Sequence, residues 1–149
     1  MRIAVALIAA LGVAGVCLGA CAPGKPPAGR WEGTFDSGDT LVAVRLEIDK
    51  DGAIYLSAPD AMGASADPDE REAIRQRLAE GLDQSWPEVP ARQMEFDGKA
   101  FRKPGGVAPQ MIWDPDSKHM FVILYPGTRA SIRVVMHDVA DFDSDPWPH

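Results

Sequence analysis

Serine, histidine and aspartate side chains occur together near the end of the chain, at Ser131, His137 and Asp138. These residue types form the nucleophile, base and orienting acid of a hydrolase triad, and His119 is a further candidate base. The residues around Ser131 contain no Gly-x-Ser-x-Gly turn that would present a nucleophile. The sequence therefore predicts a protein that is not an enzyme, with hydrolysis through His119 or His137 as a lesser alternative.

Carboxylates alternate at Asp141, Asp143 and Asp145, as they do at the start of a calcium-binding loop. Such a loop requires glycine at its sixth position, where this chain has Pro146. The three histidines do not stand at metal-ligand spacing either. The sequence predicts no metal site and no cofactor, and it predicts an acidic, solvated C-terminal tail over 141–149, with weak cation binding as the alternative.

One segment, residues 99–110, combines basic and aromatic side chains with a glycine-proline loop in an otherwise acidic chain. Its candidate binding residues are Lys99, Phe101, Arg102, Lys103, Gly105 and Gly106. Cations beside aromatic rings suit recognition of an anionic group, and the glycines allow a partner to approach closely. The alternative is a hairpin whose solvated basic edge discourages association between sheets.

The overall charge argues against nucleic acid as a partner. The 149 residues include 22 Asp and Glu against 15 Lys and Arg, which gives a formal net charge of −7. Binding to phosphates needs a basic surface that can neutralise them. The sequence therefore predicts a protein that does not bind nucleic acid.

The first residues have the pattern of an export signal. Arg2 precedes an uncharged apolar run over 3–18, which ends in the sequence Leu18-Gly19-Ala20-Cys21. This segment resembles the lipobox of bacterial lipoproteins. The resemblance implies that residues 1–20 are a removed signal peptide and that Cys21 carries a thioether-linked diacylglycerol and an acylated amine. The alternative is a signal anchor that stays in the bilayer.

The lipoprotein resemblance also implies a location. Residue 22 is alanine, and because aspartate there is the inner-membrane retention signal of enterobacteria, we expect the protein in the cell envelope, facing the periplasm, on the outer rather than the inner membrane. The segment 21–28 is the lipidated cysteine with a short proline-rich tether, which keeps the domain close to the bilayer.

Eight short segments have the composition and alternation of β-strands, and turn residues such as Asp51-Gly52 and Asp97-Gly98 separate them. They are 30–35, 41–48, 53–58, 93–96, 99–103, 110–113, 120–125 and 131–137. A helix is predicted between the third and fourth strands. It begins at Asp67 and Pro68, has an apolar stripe at Ile74, Leu78 and Leu82, and ends near Trp86 and Pro87.

This order predicts a mainly β domain over 29–140, in which an antiparallel eight-strand meander closes into a small barrel or forms a sandwich. Residues 41–48 alternate as a strand with one buried and one solvated face. Residues 120–125 are apolar at every position, so we expect the helix to cover their outer face.

The sequence Gly29-Arg30-Trp31, followed by Gly33 and Phe35, resembles the Gly-x-Trp motif of lipocalins. The resemblance implies that Trp31 packs across a closed barrel end and that Arg133 or Arg129 stacks on it. Lipocalins carry their main helix after the last strand, unlike this chain. The alternative is that Trp31 is a core aromatic residue of an unrelated β fold.

Together these patterns predict a non-enzymatic envelope lipoprotein that is attached to the bilayer through Cys21 and binds a small apolar or lipid-like ligand. The ligand would lie in a barrel interior lined by Val42, Val44, Leu46, Ile132 and Val134. The alternative is a structural or interaction lipoprotein in which residues 99–110 contact an envelope protein or a wall polymer.

Overall fold

A computed structural model describes residues 27–91 and 94–148. The predicted signal peptide, Cys21, residues 22–26 of the tether, and Gln93 at the start of one predicted strand lie outside the described residues. In the part of the chain that is described, no helix is both long enough and apolar enough to span a bilayer.

The described chain forms nine strands and one helix. In chain order they are β1 (Gly29–Asp36), β2 (Thr40–Ile48), β3 (Ile54–Ser57), β4 (Met62–Gly63), α1 (Pro68–Gln84), β5 (Glu95–Phe96), β6 (Ala100–Arg102), β7 (Pro109–Asp114), β8 (His119–Leu124) and β9 (Ile132–Val139). The predicted mainly β composition with a single inserted helix is confirmed.

The strands form one antiparallel sheet in the order β3-β2-β1-β9-β8-β7-β6-β5, and the short β4 pairs with β2 beside β3. The sheet curls into a half-barrel. The first and last strands, β1 and β9, are hydrogen-bonded neighbours, but β3 and β5 remain separate edges. The prediction of a closed barrel is therefore wrong, while the antiparallel arrangement is confirmed.

The sheet is open where the chain leaves it to build the helix. After β3 the chain forms β4 and α1, and on its return the backbone N–H of Ala91 donates to the carbonyl of Ile54 at 2.6 Å. This contact covers part of the β3 edge without adding a strand. Because β4 is an extra strand, the helix lies between the fourth and fifth strands and not between the third and fourth.

Apolar side chains fill the concave face of the half-barrel. They come from β1, β2, β3 and β6 to β9 and include Trp31, Val42, Val44, Leu46, Ile48, Phe101, Met111, Met120, Val122, Val134 and Met136. Each of these is at most 3% exposed. Four of the five residues predicted to line a ligand cavity, Val42, Val44, Leu46 and Val134, pack here against neighbouring side chains.

Helix α1 begins as predicted. The Asp67 carboxylate caps it by accepting from the backbone N–H groups of Asp69 and Glu70 at 2.9 and 3.0 Å, with Pro68 at the first helical position. The helix ends at Gln84, slightly before the predicted Trp86. Its apolar stripe does not cover β8: it packs on the convex face of β2.

Strand β2 is therefore buried on both faces, and the predicted solvated face is wrong. Leu41 and Ala43 pack under Ile74, Leu78 and Leu82 of the helix in a second apolar cluster. The convex side of β8 lacks this cover, and Phe121 is only partly buried, with the guanidinium of Arg133 at 3.8 Å from its ring centroid. The Arg133 side chain thus lies over the part of β8 that α1 was predicted to cover.

Trp31 is a core residue on the concave face, 3% exposed and edge-on to Trp113 with ring centroids 6.4 Å apart. Arg133 lies on the convex face of β9, because its neighbour Val134 belongs to the concave core. The predicted stacking of Arg133 on Trp31 is wrong. The nearby Gly33 has a packing role, since a Cβ atom there would overlap the carbonyl oxygen of Val135.

Candidate functional site: the Arg45 groove

An open groove of about 690 Å³ lies on the convex face, where the end of α1 meets the outer side of β1 and β2. It is lined by Arg30, Arg45, Glu47, Asp83, Trp86, Asp141, Phe142 and Ser144, and we call it the Arg45 groove. Arg30, Arg45 and Glu47 project from the strands, and Asp83 and Trp86 come from the end of the helix and the turn after it. The remaining three residues belong to the C-terminal segment.

Two sets of polar contacts hold the helix above the sheet beside the groove. At its C-terminal end, the Ser57 hydroxyl donates to the carbonyl of Leu82 at 2.9 Å. At its N-terminal end, Asp36 pairs with Arg71 and, at 3.3 Å, with Arg75. Hydrogen bonding to Arg71 holds the pKa of Asp36 below its ordinary value. The position of the groove is therefore fixed by both ends of α1.

Arg45 is the buried charge of the groove, with only 4% of its surface exposed. Its guanidinium donates to the carboxylate of Asp83 and to the carbonyl oxygen of Asp143. It also points toward the last turn of α1, where the helix dipole favours a positive charge. A guanidinium buried to this extent is stable only if such acceptors surround it.

One donor of Arg45 stays unsatisfied. Its Nε atom is buried and has no hydrogen-bond partner among residues 27–91 and 94–148. The Glu32 carboxylate is 3.9 Å away from this atom, which is too far for a hydrogen bond. Burial raises the pKa of Glu32, while the backbone N–H of Asp143, at 3.1 Å, and the charge of Arg45 act in the opposite direction.

Aromatic rings form the other wall. Phe142 and Trp86 are in contact, with ring centroids 5.1 Å apart, and Trp86 stacks at 6.4 Å on Tyr55 of β3. The guanidinium carbons of Arg30 and Arg45 lie 5.9 and 5.4 Å from the Phe142 ring centroid. The site therefore combines desolvated positive charge with aromatic surface.

The C-terminal segment lies across this wall. Arg30 Nη1 pairs with Asp141 at 3.2 Å and donates to the carbonyl of Ala140 at 3.3 Å. Further along, Trp147 is 5% exposed in the cluster under α1, and its indole N–H donates to the carbonyl of Arg75 at 3.2 Å. The prediction of a solvated tail is wrong for Phe142 and Trp147, although Asp141 is exposed.

The residues predicted to bind from 99–110 do not converge on one site. Phe101 is 1% exposed in the concave core, and Arg102 pairs with Asp97 at 2.6 Å and donates to the carbonyl of Val107. Hydrogen bonds from the backbone of Ala100 and Lys99, together with Arg102, lower the pKa of Asp97 to about 2. Lys103, Gly105 and Gly106 lie in an exposed turn after β6.

The candidate catalytic residues are also spread out. Ser131 precedes β9, and His137 lies six positions further along extended chain, about 20 Å away. Met120 pairs with Met136, and the same register places His119 opposite His137 on the convex face, with both side chains exposed. Within the described residues no three His, Cys, Asp or Glu side chains are placed to hold a metal ion.

The groove presents guanidiniums, carboxylates and aromatic rings, and no His or Cys is among the described residues that line it. Its central residues, Arg45, Trp86 and Phe142, were not singled out from the sequence. The sequence feature that could have indicated the site is the presence of Phe142 and Trp147, because two large apolar side chains in an acidic tail indicate that the tail packs on the domain. No protein-family model, no curated protein and no solved structure matches this chain.

Proposed function

We propose that this chain is a non-enzymatic, lipid-anchored protein of the cell envelope whose Arg45 groove binds a partner carrying a carboxylate beside an aromatic or other apolar group. The observation that carries the proposal is the burial of Arg45, 4% exposed, at the base of an open groove with an aromatic wall. The anchor is proposed from the lipobox resemblance at Cys21, and it places the domain at the periplasmic surface of a membrane.

The groove contains two arginines together with the carboxylates of Glu47, Asp83 and Asp141, and the arginines are the groups that support a carboxylate ligand. Desolvated arginine forms strong, directional hydrogen bonds to carboxylates. Arginine and aromatic side chains are also the types that contribute most to binding energy at protein interfaces. Arg30, Arg45 and Trp86 place both types around one opening.

The concave interior gives less support to ligand storage. A barrel that holds a small apolar molecule needs space among its inward side chains. Here Val42, Val44, Leu46 and Val134 are each 0% exposed within one packed cluster. The proposed ligand site is therefore on the convex face.

A small aromatic acid tests this proposal directly. Titration of the isotopically labelled protein with 3-phenylpropionate is expected to shift the amide and side-chain resonances of Arg45, Trp86 and Phe142. The dissociation constant should lie in the millimolar range, because a ligand of this size makes few contacts. The measurement is a series of two-dimensional NMR spectra.

Two controls define the outcome. Arg30→Ala removes a half-exposed cation from the groove and should weaken binding, whereas Lys103→Ala removes one from the turn after β6 and should leave it unchanged. Shifts that map outside the groove, or no shifts at 20 mM acid, would contradict the proposed site.

A second candidate site is the turn region 103–108, which belongs to the segment predicted to contact an envelope protein or wall polymer. Val107 is 89% exposed, an unusual position for an apolar side chain beside the exposed Lys103. Strand order places this turn at the end of the sheet opposite Gly29, where the tether joins the domain. That position would suit a partner lying farther from the membrane.

A further inference from the structure

We infer that the ligand of the Arg45 groove is a peptide segment with an aromatic side chain next to carboxylates, and that residues 140–144 of this chain, which form one wall of the groove, occupy the place that such a segment takes. The inference rests on the proposed function, because it names the ligand class of the same groove.

The contacts of residues 140–144 are those of a bound peptide. Two of their main-chain carbonyls, at Ala140 and Asp143, accept from Arg30 and Arg45. The N–H of Asp143 donates to Glu32 at 3.1 Å. The groove thus contacts both donor and acceptor groups of the segment's backbone, and another peptide backbone offers the same groups.

The side chains of the segment define the preferred sequence. Phe142 lies against Trp86 and beside two guanidiniums, and Asp141 pairs with Arg30 at 3.2 Å. A small aliphatic residue in place of Phe142 would lose the ring contacts, and a basic residue in place of Asp141 would be repelled by Arg30. An aromatic residue beside an acidic one therefore fits the groove.

The occupant fits incompletely, which leaves room for exchange. The buried Nε of Arg45 has no partner in the described part of the chain while residues 140–144 are in place, and Asp141 is 91% exposed. An unsatisfied buried donor is unfavourable. A ligand that brings a further acceptor to Arg45 gains a hydrogen bond that the intramolecular segment does not make.

The segment is also held so that it can leave without unfolding the domain. On one side it continues from β9, which is paired with β1 at Val139. On the other side Trp147 is buried under α1. Between these two fixed points the segment is a short span, and its high effective concentration makes it a strong competitor for any external peptide.

The test measures binding of the fluorescently labelled peptide acetyl-Ala-Asp-Phe-Asp-Ser-amide to the full-length protein in detergent micelles. Phe142→Ala weakens the intramolecular occupant, so this variant is expected to bind the peptide at least tenfold more tightly than the unaltered protein. Phe121→Ala is the matched control, because Phe121 also lies under an arginine on the convex face but outside the groove; its affinity should be unchanged.

A second readout does not depend on the stability of the variant. With 4-fluorophenylalanine at position 142 in an otherwise unaltered chain, saturating peptide should move the ¹⁹F resonance to its solvent-exposed position. Equal peptide affinity in Phe142→Ala and the unaltered protein, equal affinity for a peptide with alanine in place of phenylalanine, or an unmoved ¹⁹F signal would overturn the inference.

The two proposals fail separately. If 3-phenylpropionate maps to the groove while the peptide fails these tests, the groove binds acids but residues 140–144 do not represent its ligand. If neither molecule binds there, both proposals are wrong.

Discussion

Replacing Arg45 by alanine is expected to lower the free energy of unfolding by about 3–5 kcal/mol, because removal of one partner from a buried ionic cluster leaves the others uncompensated. Glu32 loses the neighbouring positive charge, and the carbonyl of Asp143 loses a donor. Equilibrium urea unfolding followed by tryptophan fluorescence measures the change.

Two further variants separate charge from packing. Arg45→Met keeps the aliphatic volume and is expected to lower the free energy of unfolding by less than Arg45→Ala does. It should also raise the pKa of Glu32 further, because the charge of Arg45 lowers that pKa. Arg133→Ala removes an exposed arginine over Phe121 and should cost about 1 kcal/mol or less. If Arg45→Ala destabilises no more than Arg133→Ala, Arg45 is not the buried centre of the groove.

Replacing Cys21 by serine is expected to abolish incorporation of labelled palmitate and to leave residues 1–20 attached. In the proposed anchor the thioether to diacylglycerol would form on the cysteine sulfur, and a hydroxyl would not take its place. Two or more acyl chains hold a protein stably on a membrane, so we expect the loss of lipid attachment in this variant to be complete. Metabolic labelling and the intact mass of the purified protein measure it.

The other cysteine of the chain provides the control. Cys17 lies inside the predicted signal peptide, so Cys17→Ser should keep palmitate incorporation and the removal of residues 1–20. Palmitate in the Cys21→Ser protein, or uncleaved unmodified protein from the original sequence, would favour the signal-anchor alternative.

The local elements of the fold could be predicted because short-range chemistry determines them. Asp67 and Pro68 set the start of α1 through capping and a fixed φ angle. Turns at Asp51-Gly52 and Asp97-Gly98 separate strands where positive φ values are required, as Gly52 and Gly98 adopt. These features depend on a few neighbouring residues and are visible in one sequence.

The packing of the helix and the openness of the sheet could not be read in this way. The alternation in β2 is the same whether its outer residues contact water or a helix, and an arginine at position 45 favoured the prediction of a solvated face. Leu41 and Ala43 on that face were the contrary signal. Barrel closure depends on whether β3 meets β5, a contact between segments about forty residues apart in sequence.

The candidate site combines residues from three distant parts of the chain, which is why spacing did not reveal it. Arg45, Trp86 and Phe142 converge only because α1 lies on β2 and the C-terminal segment returns over both. The basic segment 99–110 was more conspicuous in sequence, but its strand places Phe101 in the core and its turn pairs Arg102 with Asp97.

Site-specific photocrosslinking of the protein in its native cell is the most direct test of the proposed binding site. With p-benzoylphenylalanine at position 86 in the Arg45 groove, we expect one partner adduct that Arg30→Ala removes. The same probe at position 107, in the exposed turn, should form no such adduct. An adduct from position 107 alone, or none from position 86, would contradict the assignment of the groove as the binding site.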